Sequence, residues 1–160
     1  TRRIYQIPIR VLFPDAQELE DLVATQGVLG FYESIENRKA CCQVRKIHPL
    51  KRALKGAKVW ITGLRREQSA TREKQPLVEW DVDWQLIKVN PLLEWSWDAV
   101  QTRVREKNIP INRLHAKGYP SIGCAPCTRP VKPGQDLRSG RWWWEHNGSQ
   151  ECGIHLKKNG

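Results

Sequence analysis

Two hydrophobic periodicities alternate along the chain and predict a mixture of strands and helices. Residues 7–13 are rich in β-branched side chains and are predicted to form a strand. The apolar segment 58–61 predicts a second, short and buried strand. Residues 77–80 and 86–89 predict two further strands around a turn.

Between these strands the polar and apolar positions follow a helical repeat. Asp15 is predicted to cap a first helix that ends near Gly27. Residues 31–54 are predicted to be mostly helical, with a break near Pro49. Ser96 is predicted to cap a third helix that continues to about residue 107. Strands that alternate with helices predict an α/β fold.

The charge of the chain narrows the range of partners. The chain has 160 residues, a length typical of one domain, and a formal net charge of +10. This balance indicates an anionic partner such as a nucleic acid, a nucleotide, sulfate or phosphate, with a solvated basic surface as the alternative. Its apolar runs are too short for a transmembrane helix, and no secretory signal precedes the first predicted strand.

The cysteines suggest both a compartment and a cofactor. Five cysteines without a secretory signal favour a reducing, cytoplasmic compartment over a disulfide framework. Cys41, Cys42, Cys124 and Cys127 supply four thiolates, the number that a zinc ion or an iron–sulfur cluster needs. Neighbouring helical residues point about 100° apart, which suits a wide 4Fe-4S cluster better than a single zinc ion. Buried cysteines without a metal are the alternative.

The fifth cysteine lies in a basic C-terminal segment. Cys152 has His155 three residues further on and two lysines behind it. Basic neighbours lower the pKa of a thiol and stabilise the nucleophilic thiolate. Cys152 is therefore a candidate nucleophile, and an incidental exposed thiol is the alternative.

Arginines and one lysine form the candidate anion-binding positions. Arg138 and Arg141 precede three successive tryptophans, which either stack a base, wall off a pocket or pack in the core. Arg65 and Arg66 follow a predicted strand, at the edge where α/β proteins bind ligands. Lys46 lies four residues after Cys42, which would place a cation beside the metal site. No glycine-rich phosphate loop follows the first predicted strand.

Together these motifs resemble the assimilatory adenylyl-sulfate reductases, the thioredoxin-dependent iron–sulfur enzymes of sulfate assimilation. The motifs occur in family order over nearly the whole chain: Cys-Cys-x-x-Arg-Lys at 41–46, Trp-Ile-Thr-Gly-Leu-Arg-Arg-Glu-Gln-Ser at 60–69, Gly-Tyr-Pro-Ser-Ile-Gly-Cys-Ala-Pro-Cys at 118–127, Arg-x-Gly-Arg-Trp-Trp-Trp at 138–144 and Glu-Cys-Gly-Ile-His at 151–155. Relatives that reduce phosphoadenylyl sulfate generally lack the cluster cysteines, so the resemblance favours adenylyl sulfate.

The resemblance implies a mechanism and a set of site residues. Cys152 attacks the sulfur of adenylyl sulfate, AMP leaves, and thioredoxin or a similar dithiol releases sulfite from the S-sulfocysteine. The 4Fe-4S cluster is implied on Cys41, Cys42, Cys124 and Cys127. The phosphosulfate is implied to lie against Lys46, Arg138, Arg141 and His155, and the nucleotide against Arg65 or Arg66. No nucleic-acid or membrane partner is implied, and a homo-oligomer is compatible with the resemblance.

The resemblance also implies an incomplete chain. Family members have an N-terminal nucleotide loop and first strands of an adenine-nucleotide hydrolase-like fold, and this chain does not contain them. We expect residues 1–135 to form the C-terminal part of the α/β reductase domain and residues 136–160 to form a mobile tail with the catalytic cysteine. The alternatives are a phosphoadenylyl-sulfate reductase and a zinc-stabilised, basic nucleic-acid-binding module.

Overall fold

The computed structural model describes residues 1–69 and 72–145, which divide into two compact units. Unit 1 contains residues 1–57 together with Trp144 and Glu145, and unit 2 contains residues 58–143. Unit 1 is helical and unit 2 contains a small mixed sheet, so the predicted α/β class is confirmed. No described helix is long and apolar enough to cross a membrane. The predicted division at residue 135 stays a prediction.

Unit 1 contains four α-helices and a 3-10 turn. The helices are α1 (Arg2–Tyr5), α2 (Ala16–Gln26), α3 (Ile35–Cys42) and α4 (His48–Leu54), and the turn is Gly30–Tyr32. Asp15 caps α2 as predicted, because its carboxylate accepts the Glu18 N–H at 3.2 Å. Ser34 caps α3 in the same way, accepting the Asn37 N–H at 3.0 Å. The caps satisfy backbone N–H groups that would otherwise lack a partner.

The predicted strand at residues 7–13 is wrong. The segment has no regular secondary structure and pairs with no strand in the described part of the chain. Val11 and Phe13 are 71% and 75% exposed, so the alternating side chains cover no core. β-branched composition indicates a strand only where a neighbouring strand supplies hydrogen-bond partners, and Pro8 lacks a donor of its own.

The helical prediction for residues 31–54 is confirmed, but the expected break takes another form. A π-helical turn, Gln43–Ile47, joins α3 to α4, and Pro49 lies in the first turn of α4. The His48 N–H donates to the Gln43 carbonyl, five residues back. A proline cannot donate a backbone hydrogen bond and crowds the turn before it, and a widened turn accommodates both effects without ending the helix.

The sheet of unit 2 has the strand order β1–β3–β2. The strands are β1 (Val59–Ile61), β2 (Val78–Asp81) and β3 (Leu86–Val89), close to their predicted positions. β1 and β3 run parallel, whereas β2 and β3 run antiparallel. The predicted burial of β1 is wrong, because Val59 and Ile61 are 48% and 70% exposed.

The remaining elements of unit 2 surround a small core. Ser96 caps α5 (Trp97–Glu106) as predicted, accepting the Ala99 N–H at 3.1 Å. The core of the unit includes Leu64, Leu86, Leu93 and Trp142, all at most 2% exposed. The later residues contain two 3-10 turns, His115–Lys117 and Ala125–Cys127, joined by loops.

Candidate active site

The first cysteine pair lies at the end of α3 in unit 1. Cys42, the last residue of the helix, is 7% exposed, and Cys41 is half-buried. Lys46 is half-buried in the π-helical turn that follows. A π-helical turn takes more residues than an α-helical turn, so Lys46 falls just short of one full turn beyond Cys42. The predicted role of Lys46 beside the metal site stays a prediction.

A buried arginine accompanies this pair. Arg38 is 1% exposed, and its Nε and Nη2 donate to the two carboxylate oxygens of Glu145 at 2.7 and 2.9 Å. Burial alone lowers the pKa of Arg38, but the hydrogen bond and charge of Glu145, together with those of Cys42, raise it overall. Arg38 is not among the predicted site residues, although its position four residues before Cys42 on a predicted helix is a usable signal.

The second cysteine pair occupies a 3-10 turn in unit 2. The Cys127 N–H donates to the Cys124 carbonyl at 3.0 Å, which closes the turn. Thr128 fixes it further, because its hydroxyl donates to the Cys124 carbonyl at 2.9 Å and accepts the Gly123 N–H at 3.1 Å. Cys127 is 7% exposed and Cys124 is half-buried. All four described cysteines are thiols, a donor set that suits zinc or an iron–sulfur cluster.

Arg141 is a buried cation beside the second pair. It is 5% exposed, and its guanidinium lies over the Trp142 ring, 4.6 Å from the ring centroid. Within the described residues, its guanidinium makes two long hydrogen bonds of 3.4 Å, to the Ser121 hydroxyl and the Ile122 carbonyl. Among the same residues, its Nε has no hydrogen-bond partner and no carboxylate pairs with it. A buried cation with so few partners is an arrangement suited to an anionic ligand.

The backbone around Arg141 has two unusual features. A Cβ at Gly123 would lie 2.3 Å from Arg141 Nη2, so glycine leaves the room that the guanidinium occupies. Trp142 has a φ of 45°, which is rare for a large side chain. Its N–H donates to the Cys127 carbonyl at 3.2 Å. Strained backbone of this kind is concentrated at functional sites.

The predicted roles of the three tryptophans differ in the structure. Trp142 is fully buried, in agreement with the core-packing alternative. Trp143 is 41% exposed, and the Arg129 guanidinium lies 4.8 Å from its ring centroid. Trp144 belongs to unit 1, where it makes an edge-to-face contact with Tyr32 at 4.4 Å. Arg138, the other predicted arginine of this segment, is 9% exposed, and its N–H donates to Asp136 at 2.8 Å.

A cavity opens at the carboxyl ends of the two parallel strands. Its volume is about 410 Å³, and it lies between the segments that follow β1 and β3. The two segments are held together where Thr62 donates to Asn90 Oδ1 at 2.5 Å. The lining residues are Arg66, Glu67, Ser69, Glu73, Leu93, Glu94, Trp95 and Ser96.

The two arginines of this loop have different surroundings. Arg66 lines the cavity and pairs with Glu94 at 2.5 Å, and this hydrogen bond lowers the pKa of Glu94. Arg65 is 4% exposed and does not line the cavity. It donates to Glu67 at 2.8 Å and lies 5.3 Å from the Trp97 ring centroid. Arg66 is therefore available to a ligand in the cavity, whereas the contacts of Arg65 hold the loop.

Some predicted site residues cannot be placed together. Cys152 and His155 lie outside the described residues. Within residues 1–69 and 72–145, no group of three or more His, Cys, Asp or Glu side chains is arranged to hold a metal ion. The structure describes each cysteine pair within its own unit, and each pair contributes two thiols.

Known proteins with similar sequences identify the family. The model of the phosphoadenosine phosphosulfate reductase domain matches residues 1–130. The chain belongs to the phosphoadenosine phosphosulfate reductase domain family. A crystal structure of phosphoadenylyl-sulfate (PAPS) reductase from Candida auris, a phosphate complex, is similar with a TM-score of 0.63 and 28% identity over 78% of this chain and 59% of that one. This likeness also supports the predicted adenine-nucleotide hydrolase-like fold.

Curated members of the reductase family are more similar in sequence. The adenosine 5'-phosphosulfate reductase of Sinorhizobium fredii (strain NBRC 101917 / NGR234) is 53% identical over 98% of this chain and 62% of its own length. The Rhizobium tropici protein of the same name is 50% identical over 98% of this chain and 87% of its own length. The Allochromatium vinosum protein of the same name is 49% identical over 98% of this chain and 61% of its own length. The chain thus spans about three fifths of the length of several curated relatives that it matches.

Proposed function

We propose that the protein reduces adenylyl sulfate to sulfite and AMP. The buried, sparsely paired Arg141 guanidinium beside the second cysteine pair carries this proposal, because such a cation suits a sulfate or phosphate group. The names of relatives about 50% identical to this chain support adenylyl sulfate as the nucleotide.

The proposed chemistry is covalent catalysis in two displacements. The Cys152 thiolate attacks the sulfur of adenylyl sulfate, the bond between sulfur and the phosphate oxygen breaks, and AMP leaves with the electron pair. A thiolate of a dithiol protein such as thioredoxin then attacks Cys152 Sγ, and sulfite leaves with the electrons of the S–S bond. The second thiol of the dithiol closes its disulfide and regenerates Cys152. The dithiol therefore supplies both electrons, which suits a reducing cytoplasm.

We propose that the cations hold the substrate by its charge. Arg141 and Arg138 bind the phosphosulfate with Lys46 and His155, and Arg66 lines the nucleotide cavity. Arg66 already pairs with Glu94, so its part in binding concerns the uncharged adenosine more than a phosphate. Arg65, with its own set of contacts, positions this loop.

We propose a 4Fe-4S cluster on Cys41, Cys42, Cys124 and Cys127. The support is a donor set of four thiols and the family membership, and the buried Arg38 and Arg141 suit thiolate ligands by their charge. When bound, such a cluster would order the site and contribute to the electrostatic field at the sulfate. Anaerobic purification followed by iron and acid-labile sulfide assays tests this assignment, and a zinc-containing, colourless protein would contradict it.

Turnover of the intact natural protein tests the activity. The protein is incubated without oxygen with adenylyl sulfate, thioredoxin and a thioredoxin-reducing system, and sulfite and AMP are measured. We expect equal amounts of the two products, and no sulfite when thioredoxin is left out. AMP release without sulfite under full conditions would contradict the second displacement.

Phosphoadenylyl sulfate is the second candidate substrate. The family model and the solved Candida auris relative carry that substrate in their names. Competition between the two nucleotides in the same assay separates the candidates. We expect a higher kcat/KM for adenylyl sulfate, and the reverse order would assign the protein to the other activity.

A further inference from the structure

The last two described residues are fixed to the segment that leads to Cys41 and Cys42. The ring centroid of Trp144 lies 4.4 Å from that of Tyr32 and 6.3 Å from that of Phe31. Both partners belong to the turn before α3. Glu145 pairs with Arg38 on α3 itself. All these contacts lie within unit 1. The chain therefore enters its C-terminal segment from a point held on the helix that carries the first cysteine pair.

We propose that Arg38 is a positioning residue that joins the Cys42 sulfur to Glu145 and so fixes the point from which the chain carries Cys152. This inference rests on the proposed function, in which Cys152 is the nucleophile. It adds a role for two residues, Arg38 and Glu145, that the substrate-binding arrangement does not use.

The chemistry of arginine suits this double contact. Two of its five N–H donors go to the Glu145 carboxylate, at 2.7 and 2.9 Å. Cys42 lies four residues beyond Arg38 on α3, on the same side of the helix and within reach of the remaining donors. Arg38 and Glu145 are 1% and 3% exposed, so water does not weaken the ion pair. A lysine in place of Arg38 has one compact charge and cannot span both partners.

The length of the following segment explains why the anchor matters. Six residues lie between Glu145 and Cys152, so the Cα atoms of these two residues cannot be more than about 25 Å apart. The effective concentration of a tethered group falls as its tether lengthens. Release of residues 144 and 145 lengthens the segment between Cys152 and the last fixed residue, and we expect the Cys152 thiolate then to meet the substrate less often.

Hydrogen exchange in the intact, substrate-free protein tests the anchor. The variants are Glu145→Gln, which keeps the shape and removes the charge, and Arg38→Lys, which keeps the charge and removes the fork. The matched control is Lys39→Gln, the exposed neighbour of Arg38 on α3. We expect amide exchange at Trp144 and Glu145 to rise about 10-fold in both variants and to stay unchanged in the control.

Two further measurements test the contact of Arg38 with Cys42 and the effect of the anchor on turnover. Iron content is expected to remain at the wild-type level in Glu145→Gln and to fall in Arg38→Lys, because only the latter alters the contact with Cys42. In turnover, Glu145→Gln is expected to lower kcat about 10-fold with little change in KM, since the substrate contacts remain.

Unchanged exchange at Trp144 and Glu145 in both variants would overturn the anchor. Unchanged iron in Arg38→Lys would overturn the link to Cys42. Exchange and iron content require no substrate, so they remain decisive if the wild-type protein fails to reduce adenylyl sulfate. In that case the proposed function fails while the exchange result still decides whether Arg38 holds Glu145.

Discussion

Each cysteine pair has a buried arginine close by, but the two units bring it there in different ways. In unit 1, Arg38 and Cys42 are four residues apart on one helix, and Glu145 neutralises the guanidinium. In unit 2, a loop brings Arg141 against Gly123, and no described carboxylate pairs with it. This difference supports the proposal that Arg141 binds a ligand, whereas Arg38 has a structural role.

The largest expected effect concerns Cys152, the proposed nucleophile. Cys152→Ser is expected to lower turnover by at least ~10⁴-fold, because it removes the nucleophile. The iron and sulfide content is expected to equal that of the wild type, since in the proposed cluster the two cysteine pairs supply all four ligands. Loss of iron in this variant would make Cys152 a cluster ligand and remove the distinction between structural and reactive thiols.

Replacement of each buried arginine by methionine tests whether Arg38 and Arg141 have different roles. Arg141→Met is expected to lower kcat/KM by roughly 10²–10³-fold, as for the loss of one buried donor to a charged group. It is expected to change the free energy of unfolding by less than about 1 kcal/mol, because no buried carboxylate among residues 1–69 and 72–145 loses its partner. Arg38→Met is expected to cost about 3–5 kcal/mol, because it leaves Glu145 buried and unpaired.

Urea denaturation and steady-state kinetics of the two variants supply these values. A large loss of stability in Arg141→Met with normal kcat/KM would assign Arg141 a structural role. That result would contradict the proposed difference in role between Arg141 and Arg38.

The loop that positions Arg141 has its own steric test. A Cβ at Gly140 would lie 2.3 Å from the Arg129 carbonyl oxygen, and backbone cannot easily give way. Gly140→Ala is therefore expected to cost about 1–3 kcal/mol of unfolding free energy. Gly63→Ala is the control, because a Cβ there meets nothing within 4 Å. Equal stabilities of the two variants in urea denaturation would show that the loop adapts.

The smallest expected effect concerns the exposed ion pair between Arg66 and Glu94. The hydrogen bond from Arg66 lowers the pKa of Glu94, so the pair contributes stability above the ordinary pKa of a glutamate. This contribution disappears as the pH falls through the lowered pKa. Arg66→Met is expected to raise the Glu94 pKa toward its ordinary value in an NMR titration of the side-chain carboxyl. No movement would show that the pair does not persist in solution.

The sequence predicts local helix features well, but it does not predict features that depend on distant contacts. Asp15 and Ser96 were identified as helix caps because capping depends on a few neighbouring residues. The strand at residues 7–13 was predicted wrongly because strand formation depends on a distant partner. The helical repeat also places Arg38 beside Cys42, although the pairing with Glu145 depends on tertiary structure.

For the candidate site, the sequence indicates which residue types could bind or react but not how they are arranged. The loop with Arg66 was correctly expected at the carboxyl end of a strand, where a cavity is found. The burial of Arg141 and the positive φ of Trp142 depend on contacts between Gly123, Gly140 and their neighbours. Such contacts leave no periodic signal in a single sequence. The roles of Cys152 and His155 stay predictions, since both residues lie outside the described part.

Mass spectrometry of the intact natural protein tests the proposed reaction most directly. The protein is mixed with adenylyl sulfate without any reductant, digested, and searched for a sulfonate group on each cysteine. We expect a sulfonate on Cys152 alone, one AMP released for each modified chain, and loss of the sulfonate as sulfite when reduced thioredoxin is added. AMP release with unmodified Cys152, or a sulfonate on one of the other four cysteines, would contradict the assignment of Cys152 as the nucleophile.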